Sequence, residues 1–358
     1  MTIGVLKELT ESRVSIVPDT LMKSKLEGVD YIFEKGLGEK AFYPDGTYEP
    51  FGLIASRAEV LSKSDILISI SPPSDEELGE LKSGTIVVSM FQSYNDDSIV
   101  PKLDKLPITA FALDMIPRTS LAQSMDVLSS MASIAGYKAV LVAADHLPRY
   151  FPMMITAAGS IRPAKVVVLG AGVAGLQAIA TAKRLGAMVE ASDVRAAAKE
   201  EILSLGAKFI EVEGAAEDTG AGGYAVEQSE DFLKRQRDLV QQKAMQADII
   251  ITTAQVRGRK APILLPKETV EQMNPGSVVI DLASSTGGNC GCSEDEKTIH
   301  VNDVCIVGDS NLAARMPQHA SLLFSNNVMN YLTYMIKDGS INMDMEDEII
   351  GGSCISKS

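Results

Sequence analysis

Histidine and cysteine, the side chains that most readily carry protons or metals near neutral pH, are scarce in this chain of 358 residues: three histidines and four cysteines. Cys290, Cys292, Cys305 and Cys354 form no disulfide framework, which suits a reducing compartment. Cys290-Gly-Cys292 is spaced too tightly for a structural zinc site, where about two to four residues usually separate paired cysteines. These thiols read as bystanders. His146 falls at an expected helix end, His300 in a charged turn and His319 at a helix start. None has a triad-like setting, so structural or surface roles are expected. Basic charge is also in deficit, with 33 Lys and Arg against 47 Asp and Glu, a net charge of −14. That balance disfavours nucleic acid, and it disfavours an anionic membrane surface except through a protein partner. The N-terminal MTIGVLKELTESR lacks the basic-then-apolar order of a secretion signal. The longest uncharged run, 166–182, carries glycines where a strand would turn into a helix, so it reads as folded structure and not as a membrane span.

The chain holds no internal repeat or low-complexity block, and short β-rich runs alternate with helical patterns. That alternation predicts parallel sheets with crossover helices. One series of strands is expected at 3–8, 30–34, 65–70, 85–90 and 108–113, with helix-like stretches such as PDTLMKSKLEG between them. A second is expected at 165–170, 188–193, 208–213, 248–254, 277–283 and 305–308. Two longer helices, at about 120–146 and 317–337, join the series. The fold class is therefore α/β: two doubly wound, Rossmann-like parallel-sheet domains joined by two long helices around a cleft. The expected boundaries are 1–128 plus 315–358 for a discontinuous first domain, and 129–314 for a second that includes its linker helix.

The second domain opens on VVVLGAGVAGL, with Gly170, Ala171, Gly172, Val173 and Gly175 in a strand–turn–helix setting. Gly170 suits a tight turn, Gly172 a close approach by pyrophosphate, and Gly175 close packing of helix on strand. The next strand ends at Asp193, 18 residues beyond Gly175. Asp193 is placed to accept hydrogen bonds from the adenosine ribose, and it would repel a 2′-phosphate by a few kcal/mol (order of magnitude) at an effective dielectric of about 20. NAD is thus preferred to NADP, a preference that neighbouring Arg195 tempers. Val194 beside them, and Thr253 and Ala254 at the end of DIIITTA, complete the candidate cofactor set. The first domain has no such fingerprint. In it, Arg13 reads by default as an exposed arginine in a short loop. The acidic, glycine-rich 213–231 is expected to be a mobile loop, with Tyr224 as the plug of a lid. Gly287, Gly288 and Asn289, after a strand end, are candidates to line the site.

One polar stretch remains: PRTSLAQSMDVLSS at 117–130, which contains no histidine, cysteine or lysine. Taken alone it reads as a helix N-terminus with Ser120 as cap. Together with ESRVSIVP, VLGAGVAGLQAIATAKRLGA, SDVRAAAKEEILSLGAKFIEV, GAGGYA and VVIDLASSTGGNC, it resembles the alanine dehydrogenase/transhydrogenase family over essentially the whole chain. Within that family the closer resemblance is to the NAD(H)-binding component of proton-translocating transhydrogenase. The resemblance implies that Arg118, Gln123 and Asp126, assisted by Ser129, contact the nicotinamide end of NAD(H) and face a partner domain holding NADP(H). It implies that Tyr224 closes a loop over the nucleotide. It further implies a homodimer docked on a membrane domain that moves protons, on the cytoplasmic or mitochondrial-matrix face.

The dehydrogenases of the family carry a lysine after the strand matching 65–70 and a histidine after the strand matching 85–90. Here those places read SISPPS and SMFQSY. Arg13 is retained where the dehydrogenases hold a carboxylate substrate. Oxidising an amine or alcohol releases a proton, and acid–base help with it is typically worth about 10²–10⁴-fold. Hydride transfer between two nicotinamides releases none and depends on alignment. A transhydrogenase component is favoured on that ground. A stand-alone NAD-dependent alanine dehydrogenase and a non-catalytic NAD-binding module remain as alternatives.

Overall fold

The structure, a computed structural model, describes residues 1–212, 230–337 and 339–358. The chain divides into two compact units, Met1–Met131 with Ala313–Ser358, and Ala132–Leu312. It passes out of the first within the helix Val127–His146 and returns just before the helix Pro317–Met335.

In the first unit the strands lie in the order Gly52–Ala55, Asp30–Glu34, Thr2–Val5, Ile66–Ile68, Ile86–Ser89, Thr109–Ala112, Cys354–Ser356. All neighbours run parallel except the last, which is antiparallel to Thr109–Ala112. In the second unit the order is Lys208–Phe209, Met188–Ser192, Lys165–Leu169, Ile249–Thr252, Val278–Asp281, Val304–Gly308, Lys297–Val301, again parallel apart from the final strand. Both sheets are thus doubly wound. In each, the chain runs outward from its first strand in one direction and then in the other. The crevice beyond the strand ends at that reversal is where such folds take ligands.

The second sheet buries both faces. Val166, Val168, Ile249, Ile251, Val278 and Ile280 belong to one apolar cluster, while Val167, Leu169, Ile250 and Val279 belong to another. Successive side chains point to opposite faces, so an uninterrupted apolar run fits a central parallel strand. The helix Val127–His146 is the one helix, among the described residues, long and apolar enough to cross a membrane, and half of its apolar window is buried. Its residues Ala135, Ala139, Val140 and Ala143 pack into the first of these clusters.

Several elements differ from the sequence expectation. The long helix begins at Val127, and only a short 3₁₀ turn, Gln123–Met125, precedes it. PDTLMKSKLEG yields one turn, Pro18–Leu21. The second long helix stops at Met335 and gives way to a short strand, Ile336–Lys337. His300 lies in the exposed edge strand Lys297–Val301 and not in a turn. Four strands had no strong signal: Gly52–Ala55, Cys354–Ser356, and the hairpin Met154–Thr156 with Gly159–Ile161. Each is short and at least partly exposed, so apolar runs do not mark them.

Candidate functional site

The second unit's first strand ends at Leu169 and turns through Gly170, whose φ of +101° disfavours any side chain. The helix Val173–Arg184 starts at once, with Gly172 as its N-cap and no side chain capping it. Its first-turn amides and dipole therefore form an anion-binding end. Gly175 permits the close packing: a Cβ there would lie 1.9 Å from the Gly170 carbonyl oxygen. At Gly172 a Cβ would meet nothing within 4 Å, so the turn is open on that side. These residues suit a pyrophosphate at the helix start.

The ends of the neighbouring strands close on this turn. Asp193, just after Met188–Ser192, accepts the Ala171 amide at 2.7 Å and the Arg195 amide at 2.8 Å. Arg195 adds bonds from Nε at 3.0 Å and Nη2 at 3.3 Å, and Nη2 also reaches the Ala171 carbonyl at 3.0 Å. Burial, the largest influence on the Asp193 carboxyl, acts to raise its pKa. Arg195 and the two amides outweigh it and hold the group below the ordinary value. Val194 between them is 99% exposed, an apolar side chain with no packing partner of its own. On the other flank, the Thr253 hydroxyl donates to the Gly170 carbonyl at 3.1 Å, and Ala254 follows it. Gly170, Ala171, Asp193, Arg195 and Thr253 are thus joined in one hydrogen-bonded set.

Gly287 and Gly288 both take positive φ. Asn289 is fully buried, so it does not present its side chain to the open turn. Tyr224 lies outside the described residues. Cys290 is buried, and burial pushes its thiol up to about 12; Cys292 is raised for the same reason. Both thiols therefore stay protonated and weakly nucleophilic.

The stretch 117–130 belongs to the first unit. Asp126, not Ser120, caps the long helix: its Oδ1 accepts the Ser129 amide at 2.9 Å, and its Oδ2 accepts the Ser129 hydroxyl at 2.6 Å. Ser120 is exposed, six residues too early for the role because the helix starts later than its sequence suggests. Asn327 and Asn330 both donate to the Ser124 carbonyl, at 2.8 and 3.1 Å, and so pin the loop to the helix Pro317–Met335. Arg118 and Gln123 are exposed, and among the described residues no hydrogen bond engages either side chain.

Two charged groups of the first unit were not apparent from sequence. Arg13 is only 8% exposed and forms an ion pair through both Nε and Nη2 with Glu11, which overturns its reading as a surface arginine. Glu8 is 4% exposed at the end of the first strand, where it accepts the Ile70 amide at 2.6 Å and the Ser71 amide at 3.1 Å. Burial pushes it up to about 7, assisted by Glu11 and opposed by those amides. Its one sequence signal is an acid closing an apolar strand, IGVLKE. With both oxygens holding backbone amides, it acts as a brace across the sheet's reversal point and not as an open base.

Two doubly wound sheets, one with a glycine turn feeding an uncapped helix at the reversal point, define a Rossmann-type α/β protein. Residues 4–135 match "Alanine dehydrogenase/PNT, N-terminal domain" and residues 139–358 match "Alanine dehydrogenase/PNT, C-terminal domain". The chain belongs to the alanine dehydrogenase/PNT family. Over its full length it is 43% identical to the first portion of NAD(P) transhydrogenase subunit alpha of Rhodospirillum rubrum, a separate polypeptide of which it covers 96%. It is 41% identical to NAD(P) transhydrogenase subunit alpha of Haemophilus influenzae, with 98% of this chain aligned to 70% of that one. The crystal structure of transhydrogenase from Sinorhizobium meliloti matches with a TM-score of 0.91 at 40% identity, over 99% of this chain and 98% of the other. An L-alanine dehydrogenase shares the fold, with a TM-score of 0.81 at 23% identity over 99% of this chain and 94% of the other.

Proposed function

We propose that the chain is the NAD(H)-binding component of a proton-translocating transhydrogenase, active as a homodimer. In this reading a partner domain holds NADP(H), and a membrane domain couples hydride transfer to proton movement. The observation that carries the reading is the character of the 117–130 loop: it offers exposed hydrogen-bonding groups, Arg118 and Gln123, on a braced base and contains no lysine, histidine or cysteine. The bound nucleotide would supply the hydride. The chain's own residues then have two tasks. The turn 170–175 with Asp193, Val194 and Arg195 binds the pyrophosphate and adenosine half, flanked by Thr253 and Ala254. Arg118 and Gln123 orient the nicotinamide carboxamide and ribose, while Asp126 and Ser129 hold the start of the helix in place and keep acceptor positions to spare. Alignment at near-attack distance accelerates such a reaction without proton transfer. The Arg13 guanidinium, already engaged by Glu11, would have to give up that carboxylate before it could hold an amino-acid substrate.

Three assays on the purified protein separate the readings. NADH should bind, alanine should not drive NAD reduction, and hydride exchange should begin when an NADP(H)-loaded partner domain is added. Robust alanine-dependent reduction by the chain alone would overturn the proposal. Gln123→Asn should slow exchange far more than it weakens NADH binding, since it disturbs ring alignment and not the anchoring half.

A further inference from the structure

The fully buried Asn289 hydrogen-bonds the backbone of Ala254 on both sides. Its Oδ1 accepts the Ala254 amide at 2.9 Å, and its Nδ2 donates to the Ala254 carbonyl at 2.9 Å and to the Pro262 carbonyl at 2.8 Å. Every donor of the side-chain amide is used, and the geometry imitates a strand partner for one residue beyond the end of Ile249–Thr252. The residue itself is anchored from below. Its backbone amide and that of Cys290 both donate to Asp281 Oδ2, at 2.9 and 3.0 Å. Asp281 Oδ1 accepts the Thr252 hydroxyl at 3.0 Å and the Ala283 amide at 2.9 Å. The Asn289 carbonyl accepts the amides of Leu264 and Leu265 at 2.8 and 3.0 Å. Gly288, at φ +76°, brings the chain back over Asp281, where a Cβ would stand 2.8 Å from Oδ2.

We propose that Asn289 is a positioning residue for the nucleotide: by clasping the Ala254 backbone it sets the strand-end wall that, through the Thr253 hydroxyl on the Gly170 carbonyl, fixes the glycine turn. The inference rests on the reading that the turn at 170–175 holds NAD(H). Without the clasp, the segment 253–256 has only the Thr253 hydroxyl and the Gln255 side chain, on the Leu282 carbonyl at 2.9 Å, to hold it at the sheet's edge. A buried side-chain amide satisfied at all of its donors sets a segment's place far more narrowly than apolar packing does, because any slip strands a buried polar group. The sequence GGNC thus supplies two residues for a turn and one to hold the neighbouring strand's end. Asn289 does not touch the ligand; it acts through Ala254.

The test compares NADH affinity by equilibrium titration in wild type, Asn289→Ala, Asn289→Asp and a control, Ser277→Ala. Ser277 is buried near the opposite end of the adjoining strand, where its hydroxyl bonds the Ala247 carbonyl at 3.1 Å, remote from the glycine turn. Both Asn289 variants should weaken NADH by tenfold or more, with Asn289→Asp the worse of the two because it sets a carboxylate against two carbonyls. Ser277→Ala should lower the melting temperature and leave affinity within twofold. Hydrogen exchange in the unmutated protein gives an independent check, since the Ala254 amide should be protected although its neighbours Gln255 and Val256 are exposed. Wild-type NADH affinity in Asn289→Ala overturns the inference, as does an equal loss in the control. Should the Asn289 variants not fold, unprotected exchange at Ala254 in wild type overturns it as well. Failure of wild type itself to bind NADH removes the underlying reading and is told apart by that measurement alone.

Discussion

Two carboxylates at strand ends, Glu8 in the first unit and Asp193 in the second, are moved in opposite directions by their surroundings. Glu8 has amides but no cation against its buried charge, so burial prevails and its pKa rises from 4.5 to about 7. Folding then takes up a proton. The stability Glu8 contributes is complete below its unfolded value near 4.5 and is lost as pH rises through about 7, amounting to about 3 kcal/mol. Denaturant unfolding between about pH 5 and pH 8 should therefore show stability falling with pH, and Glu8→Gln should flatten that slope. The slope is the readout, because a glutamine can accept only one of the two amides. At Asp193 the Arg195 guanidinium prevails, and its bonds with those of the two backbone amides take up the carboxylate's acceptor positions. A ribose diol must compete with Arg195 for them. Arg195→Ala should accordingly tighten NADH severalfold and leave NADPH weak, as read by parallel titrations; a loss of NADH affinity would make Arg195 a nucleotide ligand. Asp193→Ala should weaken NADH and relax the preference, and an unchanged preference would count against the ribose role.

Among the elements, the helix Val127–His146 sits against the first turn of Val173–Arg184 at one contact that tolerates no side chain. A Cβ at Gly136 would fall 2.0 Å from the Ala174 carbonyl oxygen. Alanine gains up to about 1 kcal/mol over glycine in helix propensity, whereas overpacking against fixed atoms costs about 1–3 kcal/mol or more. The clash wins because the atom met is backbone. Gly136→Ala should lower the melting temperature and weaken NADH, since the turn it displaces carries the anion-binding amides. The cap at the other end of the same helix gives a milder prediction. Asp126→Ala should cost about 1 kcal/mol of stability by denaturant titration and leave NADH binding through the 170–175 turn largely intact.

At the scale of the molecule, the hairpin Met154–Thr156 with Gly159–Ile161 exposes apolar side chains in its strands and on the approach to them, with Ile155 at 73% and Met153 at 61%. A two-stranded hairpin with such a surface is marginal unless covered, and here it extends a strongly acidic chain. If the homodimer reading is right, Ile155→Asp should shift sedimentation equilibrium toward the monomer. Wild type sedimenting as a monomer at all accessible concentrations would remove the proposal. The central strands of both sheets were legible in advance because each is an unbroken apolar run, which only a strand buried on both faces can use. The edge strands and the hairpin were not, since one exposed side erases that pattern.

The glycine turn at 170–175 was determined by sequence alone, as were the acid that follows the next strand and the family itself. Positive φ, close packing and apolar runs are constraints that adjacent residues impose on one another. The burial of Arg13 against Glu11, the raised Glu8, the Asp126 cap and the Asn289 clasp were decided only by the tertiary structure. Each depends on how many neighbours exclude water and on which distant backbone groups are left wanting a partner. Asn289 and Ala254 stand 35 residues apart and meet only because Ile249–Thr252 and Val278–Asp281 lie side by side in one sheet.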